Sequence, residues 1–210
     1  FLCREALGRN HETTLLNTHN LAHNLALVGE YEQALELSER TLQECLAALG
    51  EHHRVTLGCL ETNGDNYAYM GQFEKALDNH ARGLALSREM YGDKNIETII
   101  LMRNLANDYR ALDRYDQTLP LATRSAELAR EVLGPESPET LAALHCISDS
   151  YREINQFDKA LSLHQNLYAL YKKVYGDNHP ETLSIAGDLI MDYNGFGRYS
   201  EALPYCYQMV

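Results

Sequence analysis

The 210-residue chain is 45% hydrophobic and 23% charged, and its 30 acidic against 18 basic side chains give a net charge of −12. This is the balance of a folded chain, and it opposes nucleic-acid binding, which needs a basic face to neutralise phosphates. There is no run of about 18 apolar residues for a membrane span, and five cysteines without a C-x-x-C pair point to a reduced, cytoplasmic chain.

In chain order, Phe1–Leu7 aligns with Gln43–Leu49 and reads as the tail of a helix. A nine-residue stretch then begins to recur. Its copies start at Leu7, Leu49, Tyr91, Leu133 and Tyr175, and Gly8, Gly50, Gly92, Gly134 and Gly176 stand 42 residues apart within them. Five copies without slippage define a repeat protein. Each glycine follows an apolar-periodic run, where a helix ends in a left-handed residue. Ser137-Pro138-Glu139 and His179-Pro180-Glu181 then place proline at a first helical position. The units fall at about 9–50, 51–92, 93–134, 135–176 and 177–210, the last incomplete, with 1–8 closing a preceding one. Neither end carries a polar capping helix, so a segment of a longer array is expected.

A second punctuation mark divides each unit at Gly29, Gly71, Asp113, Asn155 and Gly197, residues that tolerate positive φ in a tight turn. First helices are predicted at about 13–28, 55–70, 97–112, 138–154 and 180–196, and second helices at about 31–48, 73–90, 115–132, 157–174 and 199–210. The second helices open on a ring beside a small residue, as in Tyr31/Ala34, Phe73/Ala76 and Phe157/Ala160, which lets paired helices approach closely. In the first helices, Leu21, Ala22 and Leu25 are expected to turn inward.

The first helices carry Asn20-Leu21-Ala22, Asn104-Leu105-Ala106…Tyr109, Cys146-Ile147-Ser148…Tyr151 and Asp188-Leu189-Ile190…Tyr193. The order N-L-A-x-x-Y-x-x-x-G-x-[YF]-x-x-A-L resembles the tetratricopeptide repeat (TPR). The period of 42 with its L-G-x-x-H-P-x-T-L junction resembles the kinesin light chain variety. The Asn104–Leu112 segment is also similar to arrays that follow NB-ARC-type nucleotide-binding modules. The resemblance implies an all-α, right-handed superhelical solenoid of antiparallel hairpins, with first helices lining a concave groove. Asn63 and Gly64 in the second unit and Ile190 in the fifth depart from the pattern, so less regular packing is expected there.

Mapped onto this chain, the groove holds His19, Asn20 and His23 from the first unit and Glu61, Thr62, Asp65 and Tyr69 from the second. The third gives Arg103, Asn104, Asn107 and Arg110. The fourth gives His145, Asp149 and Arg152, and the fifth Asp188, Met191 and Asn194. Arg110 and Arg152 hold equivalent positions and are expected side by side. Guanidinium groups grip carboxylates and Asn amides bond peptide backbone, so an acidic or extended peptide is the ligand this face suits. The same arginines could instead pair with Asp65, Asp149 or Glu153. Asn24, Asn66, Asp108, Ser150 and Asp192 form a recurring small polar row, either a ladder of hydrogen bonds between units or a row facing the ligand.

His19 and His23 have the i,i+4 spacing of a two-ligand metal site, but no carboxylate or cysteine joins them locally. His80 and His164 share a repeat position, which suggests packing. No nucleophile elbow, H-E-x-x-H or Walker lysine is present. No enzyme activity, metal or cofactor is expected. The function expected is a protein-interaction scaffold that binds a peptide or protein segment in its groove. The alternatives are a sensor or autoinhibitory arm of a larger NB-ARC-type signalling ATPase, and a spacer that self-associates through its uncapped ends.

Overall fold

The computed structural model describes residues 2–209. These form eleven helices and no strand. The chain divides into two compact units, residues 1–112 and 113–210. The first holds α1 (Leu2–Leu7), α2 (Glu12–Leu27), α3 (Tyr31–Ala48), α4 (Arg54–Tyr69), α5 (Phe73–Tyr91) and α6 (Ile96–Ala111). The second holds α7 (Tyr115–Leu133), α8 (Pro138–Glu153), α9 (Phe157–Tyr175), α10 (Pro180–Gly195) and α11 (Tyr199–Gln208). Within each unit every helix packs on the next one along the chain. No described helix is long and apolar enough to cross a membrane.

The helices follow the periodicity to within a residue or two at each end. At the hairpin turns, Asp113 (φ 57°) and Asn155 (φ 62°) adopt the left-handed backbone that glycine supplies elsewhere. In the first unit the fully buried side chains include Leu57, Leu60, Ile99, Leu101 and Met102. In the second, Leu141, Leu167, Tyr171 and Ile185 form one cluster across α8, α9 and α10.

The junction between repeats is tied by side chains. His11, Asn95, Ser137 and His179 each accept a backbone N–H from the first turn that follows, and His53 does the same for Val55. A threonine one turn into the helix reaches back. The hydroxyls of Thr56, Thr140 and Thr182 donate to the carbonyls of Gly50, Gly134 and Gly176, each at 2.8 Å. These carbonyls lie just past a helix end, where backbone acceptors otherwise lack partners.

One apolar expectation fails. Leu21 is 53% exposed, although Leu105, Ile147 and Leu189 at the same repeat position are buried. Those three pack beneath a full second helix of the preceding repeat, whereas α2 is preceded by the six-residue α1. Asn63, at this position in the second unit, is buried and accepts a hydrogen bond from the Ser38 hydroxyl.

Thr140→Val keeps the shape and removes the hydroxyl. It should lower unfolding stability by about 1 kcal/mol, read from a urea transition, because the Gly134 carbonyl loses its shorter hydrogen bond and keeps only the Ser137 N–H at 3.4 Å. An unchanged midpoint would show that this tie carries no stability.

Candidate functional site

In the first unit, α4, α5 and α6 converge on His80, which is 1% exposed. Its Nδ1 lies 2.6 Å from Asp108 Oδ2 and its Nε2 3.3 Å from Asp65 Oδ1. Asn104 donates to the same Asp65 carboxylate at 3.2 Å and accepts from Arg103 at 3.0 Å. Burial disfavours a charged His80 ring, but the Asp108 and Asp65 carboxylates outweigh it and push its pKa up to about 9. Glu61, on the same face, is pushed up to about 7 by burial, with Asp65 and Glu97 adding repulsion against His80 and Arg103.

The ring fits because residue 64 is glycine. A Cβ there would come within 2.4 Å of His80 Cδ2 and Nε2. Gly64, which breaks the repeat pattern in sequence, is the space into which the imidazole packs.

A cavity of about 180 Å³ opens beside this cluster, between α2 and α4. Its walls are His23, Ala26, Leu27, Tyr31, Thr62, Asp65, Asn66 and Tyr69. Tyr31 and Tyr69 stack with ring centroids 5.1 Å apart, and Tyr69 and Leu27 are 68% and 72% exposed. Asn66 is fully buried, and neither its amide oxygen nor its amide nitrogen has a hydrogen-bond partner. Of the first-helix histidines, His23 lines the cavity. His19 packs on Gly58 and approaches Cys59 Sγ at 3.9 Å. Burial, with His23 adding to it, lowers the His19 pKa.

In the second unit, α8, α9 and α10 build the corresponding cluster. His164, fully buried, has Nδ1 2.6 Å from Asp192 Oδ2 and Nε2 3.6 Å from Asp149 Oδ1. Arg152 donates to Asp149 at 2.7 Å and to Asp188 at 2.9 Å, and lies 3.6 Å from Asp192. His145 Nε2 lies 2.8 Å from Asp188 Oδ2. Asn194 and Met191 stand exposed on α10.

The hairpins and the repeat junctions match a known pattern along most of the chain. A tetratricopeptide repeat model matches residues 12–89, 97–172 and 142–206. The chain belongs to the tetratricopeptide repeat family. No curated protein sequence matches it. Among solved structures it is similar to nearly identical TPR-like repeats described as those of a kinesin light chain from Podosopora anserina. That similarity has 22% identity over 94% of each chain and a TM-score of 0.76. It is also similar to a Rap protein complexed with competence and sporulation factor (11% identity, 90% of this chain and 50% of that one, TM-score 0.77). YrrB, a TPR protein with an unusual peptide-binding site, aligns at 17% identity over 99% of this chain and 88% of that one, with a TM-score of 0.56. At these identities the likeness is one of fold.

Against this TPR frame, the residues named from sequence separate into two groups. Glu61, Asp65, Arg103 and Asn104 meet in the first unit. His145, Asp149, Arg152 and Asp188 meet in the second, where Arg152 is engaged by carboxylates of its own chain. Asn107 and Arg110 are half-buried on α6, and Asn20 is exposed on α2. The polar row forms inter-repeat bonds at Asp108 and Asp192 only. Ser150 bonds the Cys146 carbonyl within its own helix, Asn24 is exposed, and Asn66 bonds nothing. A ladder through every repeat is therefore not what this row makes. Sequence reasoning assigned His80 and His164 to packing and missed that they are the hubs. The signal was available: Asp65, His80 and Asp108 recur as Asp149, His164 and Asp192 after two periods of 42.

Two predictions follow from His80. Its folded pKa lies above the unfolded value of 6.5, so the native chain binds more protons. Its contribution is complete below about pH 6.5 and is lost as pH rises through about 9, at most about 3 kcal/mol. Glu61, also raised, adds a loss of the same sign between about pH 4.5 and 7. His80→Gln should flatten urea stability measured from pH 6 to 9.5, and an unaltered slope would refute this. Separately, Gly64→Ala should destabilise by about 1–3 kcal/mol through overpacking. In a His80→Ala background the same change should be neutral or stabilising by up to about 1 kcal/mol, and a penalty that persists there would show another cause.

Proposed function

We propose that this TPR chain is an interaction scaffold that binds an extended segment of a protein partner, with the cavity between α2 and α4 as its anchor point. The observation that carries this is Asn66. A buried amide with both halves unpaired costs about 1–3 kcal/mol, and this one lies in the wall of a cavity open to the surface. Neither amide atom is exposed in the free chain, so an entering peptide parts the cavity wall before its backbone C=O and N–H reach them. Tyr69, stacked on Tyr31 and mostly exposed, offers an aromatic face, and Leu27 extends the apolar rim. The ligand therefore presents a large apolar or aromatic residue next to a free stretch of backbone. Asp65 lines the site and disfavours an acidic residue there. Acidic capture by Arg152, by contrast, would have to displace Asp149 and Asp188. The Rap protein bound to competence and sporulation factor and the YrrB peptide-binding site support peptide recognition as a use of this fold.

The test is panning a random peptide library on the purified chain, followed by fluorescence anisotropy with the selected peptides. Peptides enriched in aromatic or large aliphatic residues should bind, and Tyr69→Ala should weaken them at least about tenfold. Asn66→Leu should abolish binding while leaving thermal stability equal or higher, because it removes an unsatisfied buried amide. Peptides that bind wild type and both variants alike would move the interface off this cavity. Loss of stability in Asn66→Leu would mean that the amide has a structural role.

A further inference from the structure

We propose that His145, Asp149, His164 and Asp188 form a binding site for one first-row divalent cation, zinc foremost. One ligand atom from each residue lies within 4.8 Å of all the others, and among the described residues no second set of His, Cys, Asp or Glu groups this closely. The four come from three helices, α8, α9 and α10, so the site is set by tertiary packing and not by one local motif.

The atom that points to a ligand is His164 Nε2. It is fully buried and makes no hydrogen bond, and the closest carboxylate oxygen recorded for it, Asp149 Oδ1, is 3.6 Å away. The other ring nitrogen is pinned by Asp192 at 2.6 Å, which fixes the ring and leaves Nε2 directed at the cluster. A carboxylate behind a histidine is the usual outer partner of a metal-bound imidazole. Arg152 does the same for the acids. It holds Oδ1 of Asp149 and of Asp188 and leaves both Oδ2 atoms facing His145 Nε2, at 3.7 and 2.8 Å.

Charge and distance agree with a divalent ion. Asp149, Asp188 and Asp192 outnumber the Arg152 guanidinium by two negative charges around the two imidazoles, and a metal ion on His164 displaces the proton that these acids favour there. A tetrahedral zinc with bonds of about 2.0–2.1 Å places its ligands roughly 3.3 Å apart. The distances from His145 Nε2 to Asp188 Oδ2 and Asp149 Oδ2, 2.8 and 3.7 Å, bracket that spacing, and the remaining pairs lie within 4.8 Å, so side-chain rotation closes the set around the ion. Two nitrogens and two oxygens suit zinc, cobalt or nickel, whereas calcium and magnesium take oxygen ligands. The first unit provides a contrast. Two periods earlier, Glu61 stands in place of His145 and Asn104 in place of Asp188. The Asp–His–Asp triad is kept there, but the four-ligand set is not.

The experiment is calorimetric titration of the chelator-stripped chain with Zn²⁺, and a parallel titration with Co²⁺ followed in the visible. The expected result is one equivalent bound, with a cobalt spectrum free of thiolate charge transfer, which separates this site from the five cysteines. His145→Ala alters a side chain that is 23% exposed, and should weaken binding about a hundredfold or more with unchanged circular dichroism. Asp188→Asn, a second variant of nearly the same shape, should do likewise. Arg152→Gln should cost about 10–100-fold through the orientation of the two acids, and His80→Gln in the other unit should change nothing. No stoichiometric binding, binding unaffected by His145→Ala and Asp188→Asn, or a thiolate spectrum would each overturn the assignment.

Discussion

Each repeat depends on a short tie between the end of one helix and the start of the next. A lone amphipathic hairpin cannot bury its apolar face, so the fold exists only if successive hairpins are held in register. The hold is local. A left-handed residue turns the chain out of the second helix, and the next helix is capped within a few residues. At three junctions a buried threonine then hydrogen-bonds back to the carbonyl of the turn glycine, whereas Thr14 reaches the Cys3 carbonyl and Thr98 the Ser87 hydroxyl. Three of these bonds have the same length, so the geometry is the same although the intervening residues differ. This angle sets which apolar side chains of successive hairpins meet.

A second constraint acts with twice the period. The position of His80 and His164 is Ser38, Ala122 and Cys206 in the other repeats. An imidazole at a small-residue position needs room and counter-charge. Room comes from Gly64 in the first unit, where even a methyl group would collide with the ring. Counter-charge comes from an aspartate on each neighbouring first helix, Asp65 and Asp108 or Asp149 and Asp192. Burying such ions is unfavourable unless each is paired. Hence the histidine and both aspartates occur together in two places and are absent together between Asn107, Ala122 and Ser150.

What the sequence made legible follows from this division. Helix boundaries, hairpin turns and family rest on local rules, and glycine, proline and apolar spacing report them directly. The polar interior was read less well because it depends on which side chains from three helices share one space. Asp65, Asp149 and Asp188 were assigned to a groove, yet they turn toward partners inside their own unit. Gly64 read as irregular packing until His80 was placed against it. Asn66 was one member of a row, and only its neighbours separate it from Asp108 and Asp192. The repeat itself held the missing clue, since a comparison at two periods aligns the triads that a comparison at one period leaves scattered.

The same comparison explains why the cavity lies in the first unit. Three periods of 42 carry α2 and α4 onto α8 and α10. Ala26 maps to Arg152, Asn66 to Asp192, and Tyr69 to Gly195. A methyl group at residue 26 leaves the space between the first helices open, and the amide of Asn66 without a protein partner. At residue 152 a guanidinium enters the equivalent space and draws Asp149, Asp188 and Asp192 toward it. One face of one fold thus gives an open apolar cavity in one unit and a closed, charged cluster in the other. The first suits a side chain with its backbone, and the second suits a small cation. The difference between them resides in a few side chains on first helices, and the backbone pattern of the hairpins is common to both.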